Sequence, residues 1–145
     1  MGARREGREA AVQFLYQRDL NTGANAETVA EFWDLRPAAK RVRDFGMAIA
    51  EGVLAHQAAI DEQIRLAASN YDLHRIAAVD RNILRIAVFE MLFCPEVPPV
   101  VSINEAIEIA KRFGSDESGR FVNGVLDRIR SGLNRPARAA QTPTD

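Results

Sequence analysis

The fold is decided by residues 75–93, which read RIAAVDRNILRIAVFEMLF. When these residues are placed on a helix, apolar side chains cover nearly every side from position 83 onward, and no continuous polar face remains for water. A helix of this kind is stable only when other elements surround it. We therefore expect this segment to form the central, buried helix of an all-helical domain.

The residues after this helix carry start and stop signals. Prolines at positions 95, 98 and 99 predict an extended connection, since proline lacks a backbone N–H and disfavours helix at the residue before it. Ser102 with Glu105 three residues later matches a capping box, in which each side chain bonds the other residue's backbone N–H. The next helix should therefore begin at Ser102.

Gly114 predicts the end of that helix, because glycine commonly follows the last helical residue. A final helix should span about residues 117–133, with Ser115 or Asp116 as its cap. The same region resembles a phosphate-binding loop in its glycine spacing, but Arg120 replaces the lysine of that loop and no strand precedes it. We favour the capping interpretation over nucleotide binding.

Upstream of residue 75 the apolar spacing predicts helices over residues 4–20, about 27–33 and 37–68. Pro37 suits the first position of the longest of these, and Gly52 is a candidate for a bend in it. No strand-like alternation is found. The class is therefore all-α, with about seven helices when the weak ones are counted.

One domain should contain all of these helices, over residues 1–134. Residues 135–145 are rich in Pro, Ala, Gln and Thr, and we expect them to form a disordered tail.

Composition argues against several classes of protein. The chain has 145 residues with one cysteine, Cys94, and two histidines, His56 and His74. An internal disulfide is excluded, neither C-x-x-C nor H-E-x-x-H zinc spacing is present, and no glycine-flanked serine elbow lies near a histidine. We therefore expect no metal, no cofactor and no enzymatic activity. No apolar run reaches the length of a membrane span, which favours a cytoplasmic protein.

The carboxylates of Asp80 and Glu90 flank the most apolar helix, where burial without a partner would raise their pKa. We expect pairing with Arg81, Arg85 or helix-end donors instead.

The charged residues of the chain support two opposite interpretations, against and in favour of nucleic-acid binding. A net charge of −1 argues against nucleic acid, whose affinity rests on clustered positive charge. Of the 19 basic residues 17 are arginine, which suits phosphate contacts and base stacking, although genome base composition explains the same bias. The basic groups that stand out are Arg4, Arg5 and Arg8, then Lys40, Arg41 and Arg43, then Lys111, Arg112 and Arg120.

Each basic group taken by itself fits a solvated surface. Tyr16 and Phe121 favour RNA, because an aromatic side chain beside arginines can stack an unpaired base. Phe121 fits the core equally well. Residue chemistry therefore leaves a helical domain that binds RNA or protein.

Three stretches resemble the NusB family of transcription antitermination factors. They are residues 78–90, AVDRNILRIAVFE; residues 102–114, SINEAIEIAKRFG; and residues 120–127, RFVNGVLD. Residues 8–16, REAAVQFLY, match in the same order, and Val97-Pro98 stands at the proline turn of the family. Residues 21–70 match only in pattern, and the tail does not match.

The resemblance implies two packed helical subdomains and a factor that binds boxA RNA together with NusE, a small-subunit ribosomal protein. In the family this assembly acts with the transcription elongation complex to promote read-through, notably in ribosomal RNA transcription. The implied RNA contacts, with the basic Lys111 added, are Arg4, Arg5, Arg8, Tyr16, Lys111, Glu117, Arg120 and Phe121. The contacts assigned to the protein partner are Asp80, Arg81 and Arg85.

One departure from the family concerns the N-terminal arginine run, which Glu6 and Gly7 interrupt. Glu6 subtracts charge, and Gly7 weakens a helix by up to about 1 kcal/mol relative to alanine. We therefore expect the lone protein to bind RNA weakly.

Three questions stay open at this point. One is whether the chain is the N-terminal domain of a ribosomal RNA cytosine methyltransferase, since a similar helical domain precedes the catalytic half of those enzymes. Another is whether it is a helical interaction module without RNA affinity, which would have the same composition. Some members of the family are homodimers and others are monomers.

Overall fold

The computed structural model describes residues 2–21, 28–68 and 72–133. Within these ranges the chain forms seven α-helices and no strand, which confirms the all-α class. The helices are α1 (Ala3–Leu20), α2 (Val29–Leu35), α3 (Lys40–Ala55), α4 (Gln57–Ala67), α5 (Ala78–Phe93), α6 (Pro99–Phe113) and α7 (Asp116–Ser131). A 3-10 turn, Leu73–Arg75, precedes α5. The tail expected at residues 135–145 lies outside the described residues.

Helix α5 is the centre of the fold, as its sequence predicts. It packs against α1, α3, α4, α6 and α7, and nine of its 16 residues are buried. Helices α1 and α2 pack on α3, whereas α4 and α6 pack on α7, so two helical groups meet on α5. None of the helices in the described part of the chain is long and apolar enough to cross a membrane.

Two glycines allow helices to approach closely. A Cβ atom on Gly7 would lie 2.9 Å from the Phe45 ring, and one on Gly52 would lie 2.1 Å from the Phe89 ring. Gly7 therefore interrupts the arginine run because α1 packs tightly on α3 at that point. Gly52 makes room for the Phe89 ring of α5.

The single helix expected over residues 37–68 is wrong, because the structure contains two helices there. Helix α3 begins at Lys40, three residues after Pro37, and the break falls at His56. The His56 N–H bonds the carbonyls of both Gly52 and Val53, which closes α3 before α4 begins. Apolar spacing continues across this break because both helices cover the same core.

The capping box expected at Ser102 and Glu105 is also wrong. Helix α6 begins at Pro99, where a proline loses nothing because the first backbone N–H of a helix has no partner. Ser102 lies inside the helix, and its hydroxyl donates to Glu90 at 2.8 Å. The expected caps at the next turn are confirmed: Gly114 follows α6, and the Ser115 hydroxyl accepts from the Ser118 N–H.

Candidate nucleic-acid interface

Two grooves lie beside the first turn of α5. Val79 lines one of them, with a volume of about 750 Å³, and Asp80 lines the other, with a volume of about 670 Å³. We call them the Tyr16 groove and the Arg120 groove after the side chains that line them. Because Val79 and Asp80 are consecutive in α5, the two grooves lie close together at the first turn of this helix.

The Tyr16 groove is mostly apolar, with amide and guanidinium groups among its lining residues. Tyr16 and Gln13 of α1 line it together with Leu35 and Arg36 of α2, and Phe113 closes it at the end of α6. Leu35 is 78% exposed and Phe113 is 36% exposed, so apolar surface faces water here. Rings and amides beside exposed apolar side chains suit the stacking and edge recognition of an unpaired base.

The Arg120 groove brings together residues that the sequence assigned to different partners. Glu117, Arg120 and Phe121 of α7, expected at the RNA, line it together with Asp80, expected at the protein partner. Arg75 also lines this groove, although sequence reasoning did not single it out. Its location depends on how the 3-10 turn and α7 come to line the same groove, which no local sequence pattern encodes.

The acidic side chain of Asp80 is partly shielded from solvent. Burial raises the pKa of its carboxyl group above the ordinary value, and a hydrogen bond with the Ser118 hydroxyl partly opposes that shift. Arg81 and Arg85, the partners expected for Asp80 from sequence, both pair with Asp19 instead.

The N-terminal arginines occupy three different environments. Arg4 is exposed and lies 5.8 Å above the Phe45 ring. Arg5 makes a bidentate ion pair with Glu105 of α6, at 2.8 Å through Nε and 2.6 Å through Nη2. The hydrogen bond from Arg5 holds the pKa of Glu105 below its ordinary value. Arg5 is therefore available to a phosphate only in competition with Glu105.

The surface position expected for Arg8 is wrong. Arg8 is 4% exposed and donates to both carboxylate oxygens of Glu90, at 2.8 and 3.1 Å. A buried guanidinium needs such a partner, because leaving it unpaired away from water is costly. Arg8 thus cross-links α1 to α5, and Glu90 gains its partner from a helix that sequence reasoning had not connected to it.

Arg81 and Arg85 also lie in an internal network. Both donate to Asp19 of α1, at about 3.0 Å. Arg85 also forms a bidentate ion pair with Asp61 of α4. Burial raises the pKa of the Asp19 carboxyl, but the Asn82 amide and the two arginines outweigh it, so the pKa is lowered. Arg85 is only 5% exposed. These arginines join α1, α4 and α5 and do not form the exposed contacts expected for them.

The remaining expected residue, Lys111, is exposed near the end of α6. Its Nζ lies 3.7 Å from the Glu108 carboxylate, and its side chain lines a small depression with Arg120. Lys111 therefore borders the Arg120 groove. The neighbouring Arg112 does not line either of these depressions and instead pairs with Glu9 of α1 at 2.8 Å.

Metal binding has no geometric support in residues 2–21, 28–68 and 72–133. Within these ranges no group of three or more His, Cys, Asp or Glu residues is placed to hold an ion.

Comparison with known proteins identifies relatives along nearly the whole chain. The sequence profile of the NusB family matches residues 5–131. The transcription antitermination protein NusB of Sorangium cellulosum is 47% identical over 95% of this chain and 99% of the relative. The protein of the same name from Myxococcus xanthus is 44% identical over 94% of this chain and 100% of the relative.

Solved structures show the same fold. NusB of T. maritima superposes with a TM-score of 0.79 at 34% identity, over 91% of this chain and 93% of that chain. A chain in the crystal structure of antitermination factors NusB and NusE in complex with dsRNA superposes with a TM-score of 0.78 at 25% identity. That match covers 92% of this chain and 99% of the other. Fold, family profile and close relatives agree, and the chain belongs to the NusB family.

Proposed function

We propose that this protein is a transcription antitermination factor that binds RNA together with the ribosomal protein NusE. The relatives are named as antitermination proteins, and a protein of the same fold occurs in a complex with NusE and RNA. The finer parts of the proposal are a boxA-type RNA element, action within the cytoplasmic transcription elongation complex, and read-through of ribosomal RNA genes. No catalytic step is part of it.

The observation that carries the proposal is the pair of adjacent grooves beside the first turn of α5. Each groove combines an aromatic ring with a guanidinium group, Tyr16 with Arg36 in one and Phe121 with Arg120 in the other. Base stacking and phosphate neutralisation are the two interactions by which proteins hold single-stranded RNA. A single strand that crosses α5 would meet this combination twice.

Each expected contact then has a chemical role. Arg4, Arg5, Lys111 and Arg120 supply positive charge for phosphates, and Tyr16 and Phe121 supply rings for bases. Glu117 is an acceptor for an amino group on a base edge.

Arg8 acts indirectly in this proposal. It fixes the N-terminal half of α1 by its pair with Glu90, and so sets where Arg4 and Arg5 lie. On the protein side, the half-buried Asp80, which lines the Arg120 groove, is the candidate for NusE, and Arg81 and Arg85 support the helix that carries it.

Filter binding of boxA RNA and of a scrambled RNA with the same composition, each with and without NusE, tests the proposal. We expect tighter binding of boxA than of scrambled RNA, and a larger difference when NusE is present. Equal binding of the two RNAs in both conditions would contradict the boxA assignment. Absence of any RNA binding in the presence of NusE would support a helical interaction module instead.

A further inference from the structure

Seven arginines in the described part of the chain are already neutralised by carboxylates. Arg5, Arg8, Arg65, Arg81, Arg85, Arg112 and Arg130 all form ion pairs with carboxylates. Arg75 and Arg120 make no ion pair with any carboxylate of residues 2–21, 28–68 and 72–133, and both line the Arg120 groove. A net charge of −1 for the whole chain therefore coexists with two guanidinium groups open to a ligand in one groove.

The backbone that carries Arg75 is held firmly in place. The Asp72 carboxylate caps the 3-10 turn by accepting from the His74 N–H at 3.0 Å, and the Arg75 N–H bonds the Asp72 carbonyl at 2.8 Å. Arg81 holds the turn from the other side, since its Nη1 donates to the carbonyls of Leu73 and Ile76 at 3.3 and 3.2 Å. These two carbonyls flank Arg75 in the chain.

Arg81 is itself anchored. Its Nη2 donates to Asp19 at 3.0 Å, and Asp19 also binds Arg85. The internal network that removes Arg81 and Arg85 from the surface thus also holds the backbone that carries Arg75. A guanidinium on a fixed backbone loses less conformational freedom on binding a ligand than one on a mobile loop.

From this geometry we propose that Arg75 is a further RNA-contacting residue, which binds a phosphate of single-stranded RNA together with Arg120. The inference rests on the proposed function and adds a residue that the 3-10 turn, and not α7, contributes to the groove. Guanidinium groups match phosphate oxygens with two parallel N–H donors, so two of them can hold one phosphate from both sides.

The charges in the groove favour a nucleotide over a free anion. Asp80 and Glu117 line the same groove, and their two negative charges offset those of Arg75 and Arg120. A simple phosphate ion would meet no net positive charge there. A nucleotide has a phosphate for the arginines, an amino group for Glu117 and a base face for Phe121, so it matches each of these groups.

The test is a titration of boxA RNA with the full chain, in the presence of NusE, over a series of salt concentrations. Arg75→Gln should reduce the slope of log affinity against log salt by about 0.7, which corresponds to about a fivefold loss of affinity at 0.1 M salt. Arg120→Gln should have a similar effect. If both side chains bind one phosphate, the double variant should lose less than the product of the two single losses.

Arg65→Gln is the matched control, because Arg65 is an exposed arginine on α4 that pairs with Glu62, away from the groove. It should bind RNA like the wild type. Thermal melts of all variants confirm that they are folded, which the exposure of Arg75 leads us to expect.

The outcomes separate this inference from the proposed function. If Arg75→Gln binds RNA like Arg65→Gln while Arg120→Gln is impaired, the inference is wrong and the proposed function stands. If the wild type does not bind RNA even with NusE, both are wrong. If Arg75→Gln weakens NusE binding in the absence of RNA and leaves the salt slope unchanged, the groove binds protein and the inference is wrong.

Discussion

Arg8 and Glu90, 82 positions apart in the sequence, form a bidentate ion pair with less than a tenth of either side chain exposed. The Ser102 hydroxyl donates to the same carboxylate, so three helices meet at one acidic group. Breaking a buried pair by removing one partner costs about 3 to 5 kcal/mol, because a buried charge is left without compensation. We therefore expect Arg8→Ala to lower the free energy of unfolding by that amount in urea melts.

Arg4→Ala is the control for Arg8→Ala, since Arg4 lies one turn earlier on α1 and is exposed above Phe45. Loss of an exposed cation–π contact costs about 0.5 to 1 kcal/mol. If Arg8→Ala is as stable as Arg4→Ala and also reduces the salt slope of RNA binding, Arg8 is a phosphate contact and not a structural residue.

Glu105 competes with phosphate for Arg5. The Glu105 carboxylate occupies two N–H donors of the Arg5 guanidinium in a bidentate pair. Glu105→Gln should therefore release Arg5 and tighten RNA binding. The salt slope should then steepen by about 0.7, the value for one additional phosphate contact on single-stranded RNA. Glu51→Gln removes an exposed carboxylate of α3 and serves as the control. Equal affinities of the wild type and Glu105→Gln would show that Arg5 does not contact RNA.

The same pair gives a dependence of stability on pH. Arg5 lowers the pKa of Glu105 in the folded state, so the pair stabilises the fold above the pKa of an unfolded glutamate, about 4.3. This contribution is lost as the pH falls through the lower pKa of the folded state. The difference in stability between the wild type and Glu105→Gln, measured in urea melts, should therefore shrink below about pH 4.

Leu84 tests the position of α5 at the centre of the fold. It is 0% exposed, and replacement of a core leucine by alanine costs about 2 to 5 kcal/mol through lost burial and the cavity left behind. Leu66→Ala, at a leucine that is 57% exposed, should change stability by less than about 0.5 kcal/mol. A loss below about 1 kcal/mol for Leu84→Ala in denaturant melts would contradict the central placement.

Composition and short-range patterns predicted much of the fold but little of the ion-pair network. Residues 83–93 have no continuous polar face, so the burial of this part of α5 could be predicted from composition, and Gly114 and Ser115 mark a turn by local chemistry. Ser102 and Glu105 carry the same residue types as a capping box, but each instead bonds a residue of another helix, Glu90 and Arg5. The sequence does not distinguish a polar side chain that caps its own helix from one that joins two helices.

Prediction of the candidate site from the sequence is limited in the same way. Tyr16 and Arg120 could be identified because aromatic and basic residues at helical positions suggest RNA chemistry wherever they lie. Arg8 could not be separated from Arg4 and Arg5, because its burial depends on Glu90, far away in the chain. Arg75 could not be found, because its groove forms only when the 3-10 turn packs near α7.

Asp80 offers a way to separate protein binding from RNA binding. Asp80→Lys reverses a charge beside Arg75 and Arg120, so NusE should bind more weakly if it presents positive charge to this site. RNA binding in the absence of NusE should not weaken, because the change adds positive charge to the groove. Calorimetric titration measures both affinities. Asp34→Lys makes the same charge reversal at an exposed position on α2 and should leave NusE affinity unchanged; equal effects of the two variants would exclude a specific role for Asp80.

Tyr16 provides a test of stacking that is independent of charge. Its ring lines the Tyr16 groove, and loss of one base–aromatic stack from single-stranded RNA costs about 1 to 3 kcal/mol. Tyr16→Ala should therefore weaken RNA binding by that amount and leave the salt slope unchanged, because no phosphate contact is lost. Tyr16→Phe keeps the ring and should bind nearly like the wild type.

Leu20→Ala changes an exposed residue of α1 outside the lining of the groove and controls for general disturbance of this helix. Fluorescence titrations over a salt series, with melts of each variant, distinguish the cases. A stacking role requires that affinity fall for Tyr16→Ala at constant slope and at nearly constant melting temperature, since the ring is half-buried and faces the groove. If Tyr16→Ala lowers the melting temperature and RNA affinity is unchanged, the ring stabilises the contact of α1 with its neighbours, and the Tyr16 groove is not part of the RNA path.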